Sequence, residues 1–193
     1  MKKSVFLTSR NTVNDFGEEY YSIQISILSS LIELDYLPIP IFDSNSLNYY
    51  KLKDLKPELI VLTGGEDPGL NPRRDTVEVN LLEYSISANV PVLGICRGMQ
   101  QFLHFYKHPP TKIQNHVNIK HQIEGDFNLA VNSYHNYGYY SIPENFQVLA
   151  KSLDGSIEAI FESELKWLGI MWHPERMSTE NWLKPLINKY FQI

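Results

Sequence analysis

The sequence lacks the features that several protein classes require. It has one cysteine, Cys96, in 193 residues. An intramolecular disulfide and a cysteine-based zinc site are both excluded. No apolar run approaches a membrane span, and the start MKKSVFLTSR has only Val5 to Leu7 as an apolar stretch, too short for a signal-peptide core. Basic residues number 17 against 22 acidic ones, for a net charge of -5, and no Lys/Arg cluster is present. A nucleic-acid backbone is a poor partner for such a chain. There is no internal repeat, no low-complexity tract, no P-loop and no signature for a cofactor or a metal. These absences point to a cytoplasmic protein that acts on a small molecule, with no cofactor, no metal and a thiol that stays reduced.

With 43% apolar and 20% charged residues the composition is that of an ordinary folded protein. Residues 1–193 are expected to form a single domain. The first half alternates strand and helix signals. Lys3 to Thr8, Leu37 to Phe42, Glu58 to Thr63 and Val90 to Ile95 read as strands, with Pro38 and Pro40 marking a sheet edge. Glu18 to Leu34, Asp75 to Ala88 and Arg97 to Tyr106 read as helices. The second half reads as short strands at Asn128 to Asn132, Gln147 to Ala150, Ile157 to Glu162 and Lys166 to Met171, closed by a helix from Trp182 to Phe191. The fold class expected is α/β: a flavodoxin-like three-layer domain with a mostly parallel central sheet and a partly antiparallel C-terminal half.

The segment Gly94-Ile95-Cys96-Arg97-Gly98-Met99-Gln100 carries the strongest signal. A strand runs into Cys96 and a helix leaves it. A lone cysteine is by default a small buried hydrophobe. Glycines two residues to either side change that reading, because a sharp strand-to-helix turn needs neighbours without a Cβ. The helix N-terminus behind the thiol is expected to favour thiolate and to offer free N–H groups. A cysteine nucleophile needs a base and a group that orients the base. His173-Pro174-Glu175 follows a predicted strand and supplies both.

The Gly94 to Gln100 segment resembles the nucleophile motif of class I glutamine amidotransferases. Arg97 directly after the cysteine, Gly64-Gly65 after a strand, and Arg74-Asp75 opening a helix resemble the γ-glutamyl hydrolase-like branch, which includes γ-glutamyl-GABA hydrolases. The resemblance runs from the first strand to His173-Pro174-Glu175. It implies a catalytic triad of Cys96, His173 and Glu175, and an oxyanion hole formed by the N–H groups of Gly65 and Arg97. Asn132-Ser133-Tyr134-His135 resembles that branch's Ser-x-His segment. Gln100, Ser133, His135 and Arg74 are accordingly expected to bind substrate, while His116 and His121 read as loop residues. His104 to Pro110 replaces a Gly-rich turn and implies a rebuilt pocket wall.

The implied reaction is hydrolysis of a γ-glutamyl amide through a thioester on Cys96, with a small-molecule γ-glutamyl substrate and no obligate partner. Leu62 to Asp67, with Arg74-Asp75 and Cys96 to Gly98, is similar to small bacterial members from surface-polysaccharide pathways, where γ-glutamyl-CDP-amidate hydrolysis serves capsule modification. The alternative is a glutaminase component that delivers ammonia to a partner synthase.

Overall fold

The structure is a computed structural model that describes residues 3–177 and 183–193. In chain order its elements are β1 (Lys3–Thr8), β2 (Arg10–Val13), β3 (Glu19–Ser22), α1 (Ile25–Glu33), β4 (Tyr36–Ile41), α2 (Ser44–Leu52), β5 (Leu59–Leu62), α3 (Pro72–Ala88), β6 (Val92–Ile95), α4 (Arg97–Phe105), β7 (Thr111–Lys112), β8 (Val117–Gly125), β9 (Leu129–Tyr134), β10 (Tyr137–Gly138), β11 (Gln147–Ser152), β12 (Ile157–Glu162), β13 (Trp167–Ile170), a 3₁₀ turn at Pro174–Arg176, and α5 (Leu183–Tyr190).

The central sheet runs β4-β1-β5-β6-β13-β12-β11-β8-β9. The strands from β4 to β13 pair in parallel, and the remaining pairings are antiparallel. Strand periodicity explains why both faces are covered. In β1, Val5 and Leu7 face one side and Phe6 the other; in β5, Leu59 and Val61 oppose Ile60 and Leu62. Two apolar clusters result. One takes Ile27 and Leu31 from α1 and Leu183, Leu186 and Ile187 from α5. The other takes Val77, Leu81 and Leu82 from α3 and Met99, Phe102 and Leu103 from α4. This is the α/β layering expected, with the antiparallel strands in the C-terminal half. Strand β4 lies at the sheet edge, in keeping with Pro38 and Pro40, which have no N–H to give a neighbour.

The segment read as one helix from Glu18 to Leu34 is a strand followed by a helix. Asn14 turns the chain by accepting the N–H groups of Phe16 and Glu18, and β2 and β3 form a hairpin. Helix α1 then starts at Ile25, so its buried residues are Ile27 and Leu31, while Ile25 and Ile32 are exposed. Periodicity counted across the hairpin had the wrong phase. The C-terminal helix begins at Leu183; Trp182 lies outside the described residues.

Candidate active site

Cys96 follows the last residue of β6 and is the N-cap of α4. Its backbone is left-handed, with φ 51° and ψ -103°, a conformation rare for a residue with a side chain. Two glycines make the turn possible. A Cβ on Gly94 would fall 2.6 Å from the Gly98 carbonyl carbon, and one on Gly98 would fall 2.3 Å from the Leu62 carbonyl oxygen. Strand and helix therefore pack backbone against backbone, and the strain is held by the Cys96 N–H donating to Ile170 O at 2.7 Å.

The neighbours of β6 place the other groups. Strand β13 pairs with it so that Ile170 lies opposite Ile95, and the chain reaches His173 three residues later. Strand β5 pairs on the other side, with Leu62 opposite Gly94, and continues into Thr63-Gly64-Gly65. All three groups thus emerge at the C-terminal ends of adjacent parallel strands. His173 Nδ1 lies 2.7 Å from Glu175 Oε1, and both side chains are buried. The remaining ring nitrogen, Nε2, is free to accept a proton. The His173 backbone is fixed from β9: Asn132 accepts its N–H and donates to its carbonyl, both at 2.8 Å.

Burial pushes the Cys96 thiol up to about 12, against a hydrogen bond from the Arg97 N–H that lowers it. The thiolate expected from the helix N-terminus is thus outweighed by desolvation, and the resting group is a neutral thiol. The same hydrogen bond places the Arg97 N–H at the sulfur.

Arg74, read as binding substrate, and the side chain of Arg97 both turn inward. Arg74, with its side chain 1% exposed, donates to Glu78 Oε1 at 2.9 Å, Thr63 O at 2.7 Å and Gly64 O at 3.2 Å. Arg97, fully buried, donates to Asp75 Oδ1 at 2.7 Å and Glu66 O at 2.8 Å and forms an ion pair with Glu78 Oε2 at 3.1 Å. A Cβ on Gly65 would fall 2.2 Å from Arg74 Nη1. The guanidiniums thus underpin the Gly64-Gly65 turn, with Arg74 Nε and Nη2 committed to groups inside the protein and Nη1 3.5 Å from Glu66 Oε2. Glu78, which links them, was invisible in the sequence as anything but a helix-surface charge.

Gln100 lines a cavity of about 170 Å³ with Asp67, Leu70, His104, Pro110, Tyr137 and Tyr139. It stands one helical turn beyond Cys96, donates to Tyr137 O at 3.4 Å and has a buried Oε1 with no partner. His104 and Pro110 stand in its wall. Ser133 and His135 do not line this cavity. Ser133 Oγ donates to His116 O at 2.7 Å, and His135 Nδ1 donates to Tyr137 O at 3.1 Å. Burial, reinforced by neighbouring His116, holds the His135 imidazole down at about 3, so that ring is neutral. Ser133 near the end of β9 and His135 just past it turn toward a separate buried cluster with His116, His121 and Glu158. A larger cleft, about 270 Å³ between Lys3, Tyr36 and Ile187, lies at the opposite, N-terminal end of the strands. Among the described residues no helix is long and apolar enough to cross a membrane.

The chain is similar to the γ-glutamyl-CDP-amidate hydrolase of Campylobacter jejuni, at 28% identity over 166 residues, covering 82% of this chain and 80% of that one. It is 25% identical over 158 residues to the γ-glutamyl-γ-aminobutyrate hydrolase of Escherichia coli O157:H7, covering 66% of this chain and 62% of that one. Among solved structures, PurLQS from Thermotoga maritima superposes with a TM-score of 0.65 at 17% identity, over 93% of this chain and 91% of that one, which bears on the fold alone. The profile of the class-I glutamine amidotransferases matches residues 13–193, and the chain belongs to that family.

Proposed function

We propose that this chain is a cysteine amidohydrolase that cleaves a γ-glutamyl amide to glutamate and an amine. The observation that carries this reading is the strained Cys96 at the tip of the strand-to-helix turn, flanked on neighbouring strands by Gly64-Gly65 and by the His173–Glu175 pair.

The neutral thiol sets the order of events. Glu175 holds His173 Nδ1–H, so Nε2 takes the Cys96 proton as the sulfur attacks the γ-carbonyl carbon. The N–H groups of Arg97 and Gly65 receive the oxyanion. The intermediate collapses to a γ-glutamyl thioester as the C–N bond breaks, and the amine leaves with the proton from His173. Water then gives a proton to His173 and its oxygen to the acyl carbon. Glutamate is released, and the proton returns to sulfur.

The 170 Å³ cavity beside Gln100 receives the substrate, with Tyr137, Tyr139 and His104 in its wall. The narrower form of the proposal is γ-glutamyl-CDP-amidate hydrolysis for capsule phosphoramidate, supported by similarity to a relative of that name. Since Arg74 and Arg97 are committed inside the protein, a diphosphate in the leaving group is held by groups other than these two guanidiniums.

The test is a panel of γ-glutamyl amides, including γ-glutamyl-GABA, a γ-glutamyl nucleotide amidate and free glutamine, with glutamate release as the readout. Turnover of a conjugate by the purified chain, poor turnover of glutamine, and none by Cys96→Ala are expected. A leaving group held in a pocket raises the rate, and ammonia leaves that pocket empty. Preference for glutamine, or activity only with a partner synthase, would replace this reading by that of a glutaminase component.

A further inference from the structure

Behind the wall of the candidate active site lies a second concentration of ionisable groups that the proposed reaction does not use. Glu158, on β12, is fully buried, and among the described residues neither of its carboxylate oxygens has a hydrogen-bond partner. Three imidazoles surround it. His116 Nδ1 lies 3.5 Å and His135 Nε2 3.6 Å from Glu158 Oε1, and His121 Nε2 lies 3.7 Å from Oε2. The nitrogens of His121 and His135 that face the carboxylate are themselves buried and unpartnered. An isolated carboxylate in such a place costs several kcal/mol unless a cation or proton meets it.

The outer nitrogens are occupied in the sense that a ligand set requires. His135 Nδ1 is 3.1 Å from the Tyr137 carbonyl, which only accepts, so this nitrogen carries the hydrogen and Nε2 presents a lone pair to Glu158. His116 Nε2 is 3.0 Å from Asp154 Oδ2, and its Nδ1 turns inward, 3.5 Å from Glu158 Oε1 and 3.4 Å from Ser133 Oγ. A carboxylate or carbonyl behind each imidazole is the arrangement that orients histidines toward a metal. The facing atoms of His116, His135 and Glu158 all lie within 4.8 Å of one another. Ligand distances of about 2.0–2.2 Å around a tetrahedral ion require a modest inward rotation of these side chains. An open cleft of about 200 Å³, lined by Asn115, His116, His121 and Asp154, connects the cluster with solvent.

We propose that His116, His135 and Glu158 bind a divalent cation of the zinc class, with His121, which lies outside that set of three and faces the other carboxylate oxygen, turning in as the fourth ligand. The donor set of imidazole nitrogen and one carboxylate oxygen suits such an ion and is poor for magnesium, which takes oxygen ligands. Four protein ligands make the site closed, hence structural rather than hydrolytic. The ion ties β8 to β12 and to the stretch that runs from the end of β9 into β10. That stretch begins with Asn132, which holds the His173 backbone, and ends with Tyr137, whose carbonyl is shared by His135 and Gln100. The sequence conceals the site because its ligands come from separate elements with no recurrent spacing.

The experiment uses the purified full chain, stripped with chelator and titrated with zinc chloride, followed by calorimetry and thermal melting. Zinc bound at one site per chain and a melting temperature raised by roughly 5–10 °C at saturation are expected, with no rise on adding magnesium. Glu158→Gln keeps the shape, removes the buried charge and abolishes the zinc-dependent rise, whatever its own melting temperature. Asp154→Asn weakens zinc about 10–100-fold through the imidazole it supports. Cys96→Ala binds zinc as the parent does. Cobalt in the parent gives a tetrahedral visible spectrum without a thiolate charge-transfer band, a reading that needs no variant to fold. Absence of a zinc-dependent rise, an equal rise in Glu158→Gln, or a thiolate band that places the metal on Cys96 would each overturn the proposal.

Discussion

The His173 ring occupies the space where Gly64 has no side chain: a Cβ there would fall 2.4 Å from His173 Cε1. The imidazole proposed as the base is therefore positioned by an absence on a neighbouring strand as much as by its own hydrogen bond to Glu175.

Gly64→Ala is expected to push the ring aside and lower kcat about 100-fold, since a displacement of about 1 Å at reacting groups has that effect. The fold stays intact. Kinetics and a thermal melt on the same preparation check this; unchanged kcat would mean that His173 is not where the proton goes.

Asn132→Ala removes both hydrogen bonds to the His173 backbone. Stability falls by about 1–3 kcal/mol, because buried peptide groups lose their partners. The kcat value falls with little change in KM, as Asn132 does not line the cavity. A parallel rise in KM would argue for a direct contact with substrate.

Because burial raises the Cys96 thiol to about 12 from an ordinary value of 9, alkylation by iodoacetamide is expected to be slow at neutral pH and to keep rising through pH 10. The linkage has the same sign: the folded state holds the proton more tightly, so stability from this group is present below pH 9 and is lost as pH rises toward 12. Cys96→Ala flattens that loss. A labelling plateau near pH 7 would show a thiolate at rest.

Glu78 lies between Arg74 and Arg97 with all three side chains buried. Glu78→Gln leaves two guanidiniums short of a counter-charge and destabilises the fold by about 3 kcal/mol or more. The urea midpoint falls with the slope unchanged. Activity falls too, since the Gly64-Gly65 turn rests on this cluster.

What the sequence disclosed was local. The turn at Cys96 was legible because seven consecutive residues carry the strand, the two glycines and the helix start. His173 and Glu175 were legible because Pro174 keeps them adjacent. Roles that depend on which way a strand faces were not. Ser133 on β9 and His135 just beyond it lie beside the site, yet their side chains turn to the histidine cluster. Arg74 and Arg97 look like surface cations in a linear reading; only the packing of α3 against α4 shows them buried around Glu78. His116 and His121, read as loop residues, acquire meaning only when β12 brings Glu158 between them.

The prolines of β4 have a consequence beyond marking an edge. Pro38 and Pro40 pair opposite Val5 and Leu7, so the backbone positions that lack a hydrogen are those turned outward. That flank offers carbonyl oxygens with donors missing at alternate residues, and an incoming chain finds no complete ladder to join. The sheet is therefore finite on that side by chemistry. Restoring the donors with valines at both positions would expose an adhesive border, and such a protein would self-associate along it.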